Sequence, residues 1–418
     1  MKLTIKENKK IKVKIEVEQA WDEFKSFYEK ALFSLSKEIE LPGFRKGQAP
    51  ITMIEASLDP EKLLIEAATL AIDDLWPKAI KDLAQQKIEV VSQPQIELLK
   101  LAKENELLFS AEFEAMPEFE LPGYKAIAQK VEKKEIKVED KEIEETVSNI
   151  QKSRATLTDK AGPAQNEDFV EISFSSSEIE GGKPRDDGFI LGKGNYPKEF
   201  EASLVGMSAD ESKEVDFNSK EEPAKILKVK VEMKAVKKLE LPEVNDEFVK
   251  TLGKFETVEA LKNNIKEGIM EEKKMAEIQR QRENFLTEIA KEVEVELPQI
   301  LIEKEAHQMM HSAKDQVAQN LGISFEEYLK QINKTEVDFE KEVEEAAKKR
   351  VKNFLILREI AKQEKTEASA EQIEERVNAM LSYYPDLKAA EKGASLEKLS
   401  AYVEDEIKQE NAFKALGL

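Results

Sequence analysis

Residues 11–50, IKVKIEVEQAWDEFKSFYEKALFSLSKEIELPGFRKGQAP, pass through three backbone regimes in succession. Ile11, Val13, Ile15 and Val17 alternate with Lys12, Lys14 and Glu16, the period-two pattern of a strand with one buried face. Trp21, Phe24, Tyr28, Leu32, Leu35 and Ile39 then recur at spacings of three or four, which predicts an amphipathic helix. The run ends in LPGFRKGQAP, residues 41–50, where Pro42, Gly43, Gly47 and Pro50 force a loop. A strand delivered into a helix and then into a glycine-punctuated loop is the opening of an α+β layer.

Downstream segments extend that layer. Helical spacing resumes over 61–86, and Pro77 is expected to kink or end that helix because it lacks the amide proton the helix needs. Leu107, Phe109, Ala111, Phe113 and Ala115 alternate as a further strand, so residues 1–115 read as an α+β domain. MPEFELPGY, 116–124, opens a linker that continues to 154 through a highly charged stretch with sparse apolar positions at Ile136, Val138, Ile143, Val147 and Ile150. Seven of the chain's fifteen glycines lie between Gly162 and Gly206, around the alternating Val170, Ile172 and Phe174. With Ile226, Val229, Val231, Met233 and Val236, a strand carrying one irregularity, they give a small β-rich domain over 155–238.

From 239 to 418 the period is helical. Val258, Leu261, Ile265 and Ile269 form one stripe, and Leu301, Met309, Ala313 and Val317 a second. A third runs through Val343, Ala347, Val351, Phe354, Leu355 and Ile360. Ser369 with Gln372 fits a capping box opening a helix that contains Ile373, Val377 and Met380, and the last helix carries Leu399, Val403 and Ile407. These stripes are narrow and hold no strict heptad, which favours an open arrangement of helices over a long coiled coil. The fold class is thus multidomain α+β, with a mostly α-helical C-terminal region.

Composition limits the function. Charged residues make up 36% of the 418, and 86 acidic against 65 basic side chains leave a net charge of -21. A field of that sign repels polyphosphate, so a general nucleic-acid binder is excluded and any RNA contact needs a local basic patch. With no cysteine there is no disulfide framework, thiolate metal site or thiol nucleophile. The two histidines, His307 and His311, stand at i and i+4 in HQMMH, one helix face; a metal site there lacks a third ligand nearby in sequence. The intervening Met309 and Met310 suit either adaptable contacts or a helix core. No run approaches the ~20 apolar residues of a membrane span, and the first residues lack an apolar signal region, so a cytoplasmic protein with no membrane partner is expected. GGKP at 181–184 lacks the spacing of a nucleotide-binding loop, and no cofactor is called for.

Between Leu41 and Ile54 there is no acid, so Arg45 and Lys46 make a +2 tip on a strongly acidic chain. Cations for phosphate beside an exposed Phe44 suit a docking point on a ribonucleoprotein; an ordinary glycine-rich turn is the plainer account of the same residues. Here the sequence resembles a known family. Gly43, Phe44, Arg45, Lys46 and Gly47, followed by Pro50, are similar to the signature loop of trigger factors, ribosome-associated bacterial chaperones. PEFELPGYKAI, 117–127, and LELPEVNDEFVKTLG, 239–253, resemble that family's linker entry and the start of its C-terminal domain, in the same order.

The resemblance implies that residues 43–47 dock on the large ribosomal subunit, protein and rRNA, near the exit tunnel. It implies an FKBP-type peptidyl-prolyl isomerase over 155–238 and helical arms that hold nascent or unfolded polypeptides without ATP; a homodimer of the free protein stays open. Matched by motif, the prolyl pocket comprises Phe174, Ile179, Phe189, Tyr196, Phe200 and Leu204, all of which also suit a plain β-domain core. Three departures predict a weakened isomerase. Ser173 stands where the family has an acid, Tyr196-Pro197-Lys198-Glu199-Phe200 replaces its I-P-G-F turn, and the flap is shortened to FNSKEEPAK, 217–225. Rotation about an X-Pro bond crosses ~18 to 20 kcal/mol and needs no nucleophile, acid or metal, only a pocket that favours the twisted imide. A pure holdase with an inactive β domain, and a structural docking protein, are the alternatives left open.

Overall fold

The computed structural model describes residues 1–45, 48–175, 184–194, 196–218, 226–382 and 396–418. They form two compact units, 1–131 with 282–418, and 132–281.

The N-terminal part of the first unit is an antiparallel sheet of β1 (Lys2–Lys9), β2 (Lys12–Gln19), β3 (Gln95–Lys100) and β4 (Leu107–Glu114), in the order β1-β2-β4-β3. Register places Val13 opposite Phe113, Ile15 opposite Ala111 and Val17 opposite Phe109, so the alternating apolar sets of the two central strands share one face. All six are buried. On that face lie α1 (Trp21–Ser36), α2 (Ile51–Ser57) and α3 (Pro60–Gln85), contributing Phe24, Ile54, Leu63, Leu75 and Leu83 to the core.

Of the two outcomes expected at Pro77, an ending is ruled out: α3 continues past it to Gln85. Pro77 itself is exposed, while the buried stripe Ala67, Ala71, Leu75, Ala79 and Leu83 runs straight across it. A proline in a helix interior costs about 3 kcal/mol. Burying a leucine gains roughly 1.5–3 kcal/mol, so packing on the sheet outweighs the lost hydrogen bond.

The C-terminal part of this unit comprises α4 (Tyr124–Lys130), the end of α8 (Val258–Glu292), α9 (Gln299–Leu321), α10 (Phe325–Gln331), α11 (Glu336–Gln363), α12 (Ala370–Ser382) and α13 (Leu396–Ala415). Several small cores hold it together: Phe285, Ile289, Ile360 and Phe413; Ile302, Ala347, Val351 and Leu355; Val377, Val403 and Ile407. Phe119 and Leu121, in the extended segment after β4, pack against the first of these, and Phe119 also meets the second. The capping box at Ser369 and Gln372 forms, each side chain bonding the other's backbone.

The second unit holds α5 (Asp140–Ser153) and a five-stranded antiparallel sheet: β5 (Thr156–Asp159), β6 (Phe169–Ser175), β7 (Arg185–Ile190), β8 (Ser212–Asn218) and β9 (Ile226–Glu240). The path is β5-β9-β6-β7, with β8 also on β9, and α6 (Lys198–Leu204) packs beside β8. The irregular spacing in β9 is a bulge: Glu171 pairs with Ala235 and Ile172 with Met233, so Lys234 is the extra residue. α7 (Asp246–Lys250) starts on Asn245, whose side chain accepts from the Phe248 amide, and it buries Phe248 and Val249 against Leu261 of α8.

Candidate docking loop and prolyl pocket

Two backbone hydrogen bonds mark the loop after α1. The Phe44 amide donates to the Leu41 carbonyl at 3.0 Å and the Gln48 amide to the Arg45 carbonyl at 2.9 Å. Gly43 has φ +88°, a left-handed conformation costly to a residue with a Cβ. Phe44 is 37% exposed and Arg45 is exposed; Lys46 and Gly47 lie outside the described residues.

Pro50 opens α2 immediately after the loop, and α2 is braced in a way the sequence does not announce. Glu55 accepts from the Tyr28 hydroxyl and from the Lys103 ammonium, both at 2.7 Å, and that ammonium also lies 5.5 Å from the Tyr28 ring centroid. The Lys103 hydrogen bond, then the Tyr28 one, holds the Glu55 carboxyl below its usual range. Residues 28, 55 and 103 come from α1, α2 and the β3–β4 loop, so no local pattern could have found them. Around the loop, Phe33, Ile51 and Met53 are exposed, and the Lys37 ammonium lies 4.4 Å from the Phe33 ring centroid.

In the second unit, five of the six expected pocket residues lie in one cluster. β6 supplies Phe174, β7 Phe189, and α6 Phe200 and Leu204, while Tyr196 comes from the loop before α6; Ile179 lies outside the described residues. Phe189, Phe200 and Leu204 are 3%, 1% and 0% exposed, and Phe174 and Tyr196 are the partly buried residues packed on them. The Tyr196 ring meets Phe189 at 4.9 Å, Phe200 at 5.1 Å and Phe174 at 6.0 Å between centroids.

Two acids missed in the sequence fix Tyr196. Buried Glu201 accepts from the amides of Gly192 at 2.8 Å, Gly194 at 3.3 Å and Tyr196 at 2.8 Å, so its carboxylate gathers the loop's backbone around itself. Gly192 and Gly194 have φ of +85° and +81°, the glycine-favouring conformation that turns those amides inward. Asp187 on β7 accepts from the Tyr196 hydroxyl; burial and then this bond push the phenol's pKa up. Asp187 pairs with Ile172, whose side chain is in the core, whereas Ser173 pairs with Asp186 on the other face. There Asp186 accepts from Lys234, the bulge residue, at 2.9 Å. An acid does stand beside the aromatic cluster, on the neighbouring strand rather than at position 173.

Residues 1–150 match the family model described as bacterial trigger factor protein, and 257–417 the one described as its C-terminus. A trigger factor from Caldicellulosiruptor bescii is 32% identical over 383 residues, covering 88% of this chain and 85% of that one. The chain belongs to the trigger factor family. Trigger factors from Clostridium tetani and Clostridium botulinum are 32% and 30% identical, over 92% and 97% of this chain and 90% and 96% of theirs. A solved structure of a trigger factor chaperone shares the fold, with a TM-score of 0.52 at 21% identity over 100% of this chain and 99% of that one. The two matched spans flank the β-rich segment, so the trigger factor models cover the loop at 43–47 but not the aromatic cluster around Tyr196.

Proposed function

We propose that the chain is an ATP-independent chaperone that docks on the large ribosomal subunit near the exit tunnel and receives nascent or unfolded polypeptides in the cytoplasm. The observation that carries it is the described part of the loop, residues 43–45: an exposed aromatic ring and adjacent cation on a left-handed glycine turn, before a helix clamped by Glu55. On a chain of net charge -21 this is a place where rRNA phosphate meets attraction instead of repulsion. The assignment by domain is docking over 1–115, linker over 116–154, prolyl isomerase over 155–238 and client binding over 239–418. For clients, a cleft of about 1270 Å³ in the first unit mixes Met116, Phe119 and Ala361 with Arg358, Lys362 and Asp405. Leu321 and Val337, 53% and 57% exposed, add apolar surface at the ends of α9 and α11. Dispersed apolar contacts among charges bind many sequences weakly and let them go.

Cosedimentation with vacant ribosomes tests the docking role: changing Phe44, Arg45 and Lys46 together to Ala should abolish it, and binding that survives rejects the assignment. For the β-rich domain the aromatic cluster favours FKBP-type isomerisation of X-Pro bonds. A second reading, a domain that binds clients without catalysing, is favoured by one observation, the near-complete burial of Phe189, Phe200 and Leu204.

A further inference from the structure

α8 is buried at Leu261 and again at Gln281, and at no position between them. Residues 262–280, KNNIKEGIMEEKKMAEIQR, therefore run about 28 Å as helix without a core side chain. Helices in proteins draw most of their stability from packing an apolar face, which this stretch lacks, and Gly268 within it lowers its propensity further. Ile265, Ile269, Lys273, Glu277 and Arg280 are nevertheless half-buried. Their spacings of three and four put them on one face, so that face is covered by something other than a core.

Over its C-terminal half the cover is the chain at 132–137, fastened through its backbone. The Arg280 guanidinium donates to the Glu132 carbonyl at 2.6 Å, and the Lys134 amide donates to the Glu277 carboxylate at 2.9 Å. The Lys273 ammonium donates to the Lys137 carbonyl at 2.8 Å and to the carboxylate of Glu142, in α5, at 2.6 Å. Arg280 and Gln281 donate to Glu277 as well, at 2.7 and 2.8 Å, and so aim its carboxylate at the Lys134 amide. The pairs 132 with 280, 134 with 277 and 137 with 273 make an antiparallel strap along one helix face. The chain enters the second unit through this strap and leaves it through α8.

We propose that residues 132–137 are a splint for α8: the middle of the helix stays closed because the strap is fastened to it, and opens locally when the strap is released. A solvent-exposed helical stretch with few apolar contacts opens at low cost, and here each opening must also break charge-assisted bonds to the strap. The splint makes entry to and exit from the second unit one stiff body instead of two segments that move independently. Because its fastenings end on backbone groups of the strap, it depends on the side chains at 273, 277 and 280 and not on those of 132, 134 and 137.

The test is amide hydrogen exchange of the full-length protein, read by mass spectrometry over peptides covering 132–138 and 266–281. Lys273, Glu277 and Arg280 are changed together to Ala, the best helix former, so propensity cannot account for any loosening of α8. Exchange should quicken over 132–138 and rise about tenfold over 266–281, with 286–292 unchanged. Glu271→Ala is the control: it removes an intrahelical pair, the one with Lys274 at 3.8 Å, away from the strap, and should leave exchange within twofold of the parent. Lys134→Pro acts from the other side, deleting the strap's amide donor with the α8 sequence intact, and should quicken 266–281 about threefold. Unchanged exchange over 266–281 in either strap variant overturns the splint. A Glu271→Ala effect as large as that of the triple change overturns it too, because loss of pairing within the helix would then be the cause.

Discussion

Glu55 ties α2, which follows the proposed docking loop, to α1 and the β3–β4 loop, and its protonation state sets when that tie holds. Lys103 and Tyr28 depress its pKa in the folded chain. A depressed folded value means that the stabilisation is complete above the unfolded value of ~4.3 and is lost as pH falls through the folded one. Glu55→Gln should therefore lower the melting temperature by about 1–2 °C at pH 6–8, a small amount because Lys103 and Glu55 remain partly exposed and solvent-screened. Below pH 4 the difference from the parent should shrink toward zero. Melting curves at pH 3.5, 5 and 7 check this; a gap that widens in acid contradicts the clamp. Other single residues act by geometry instead. Gly43, Gly192 and Gly194 stand in left-handed backbone where side chains are strained, and each shapes a loop that presents an aromatic residue.

At the scale of elements, alternation and helical stripes were legible wherever one face is buried. β2 and β4 read clearly because Val13, Ile15, Val17, Phe109, Ala111 and Phe113 are all in the core. β1 and β3 did not: both are edge strands, mostly exposed, so their sequences KLTIKENK and QIELLK carry little burial signal. The irregular step in β9 was visible as spacing, but only pairing with β6 identifies it as a bulge at Lys234. In the candidate sites, Phe44 and Arg45 and the described pocket aromatics were legible from motif. Glu55, Glu201 and Asp187 were not, because each acts on partners joined by tertiary structure or by loop geometry. The passage of α3 through Pro77 has a measurable counterpart. Since the position is exposed and the helix passes through it, Pro77→Ala should stabilise the chain by about 1–3 kcal/mol, seen as a higher urea midpoint with unchanged slope. A lower midpoint would mean that the proline carries packing the helix needs.

Over the whole molecule, the net charge of -21 and the two cations of the proposed docking loop would make opposing demands on ribosome binding. Each phosphate neutralised by a cation releases counterions, so log K falls with log salt by about 0.7 to 0.9 per contact. Arg45 and Lys46 together give a slope near -1.5. The acidic body works the other way: its repulsion from rRNA is screened as salt rises, which offsets part of that loss. The expected dependence is shallow, with a slope between about -1 and -2 over 50 to 200 mM salt. Arg45→Ala should flatten it by about one contact, while Phe44→Ala should weaken binding at every salt concentration and leave the slope unchanged, because an apolar contact releases no ions. Cosedimentation over a salt series separates the two variants. A slope steeper than about -4 would mean that other basic surface, such as the lysines of the β1–β2 hairpin, also reaches RNA, and the docking loop would lose its place as the single address on an otherwise repelled surface.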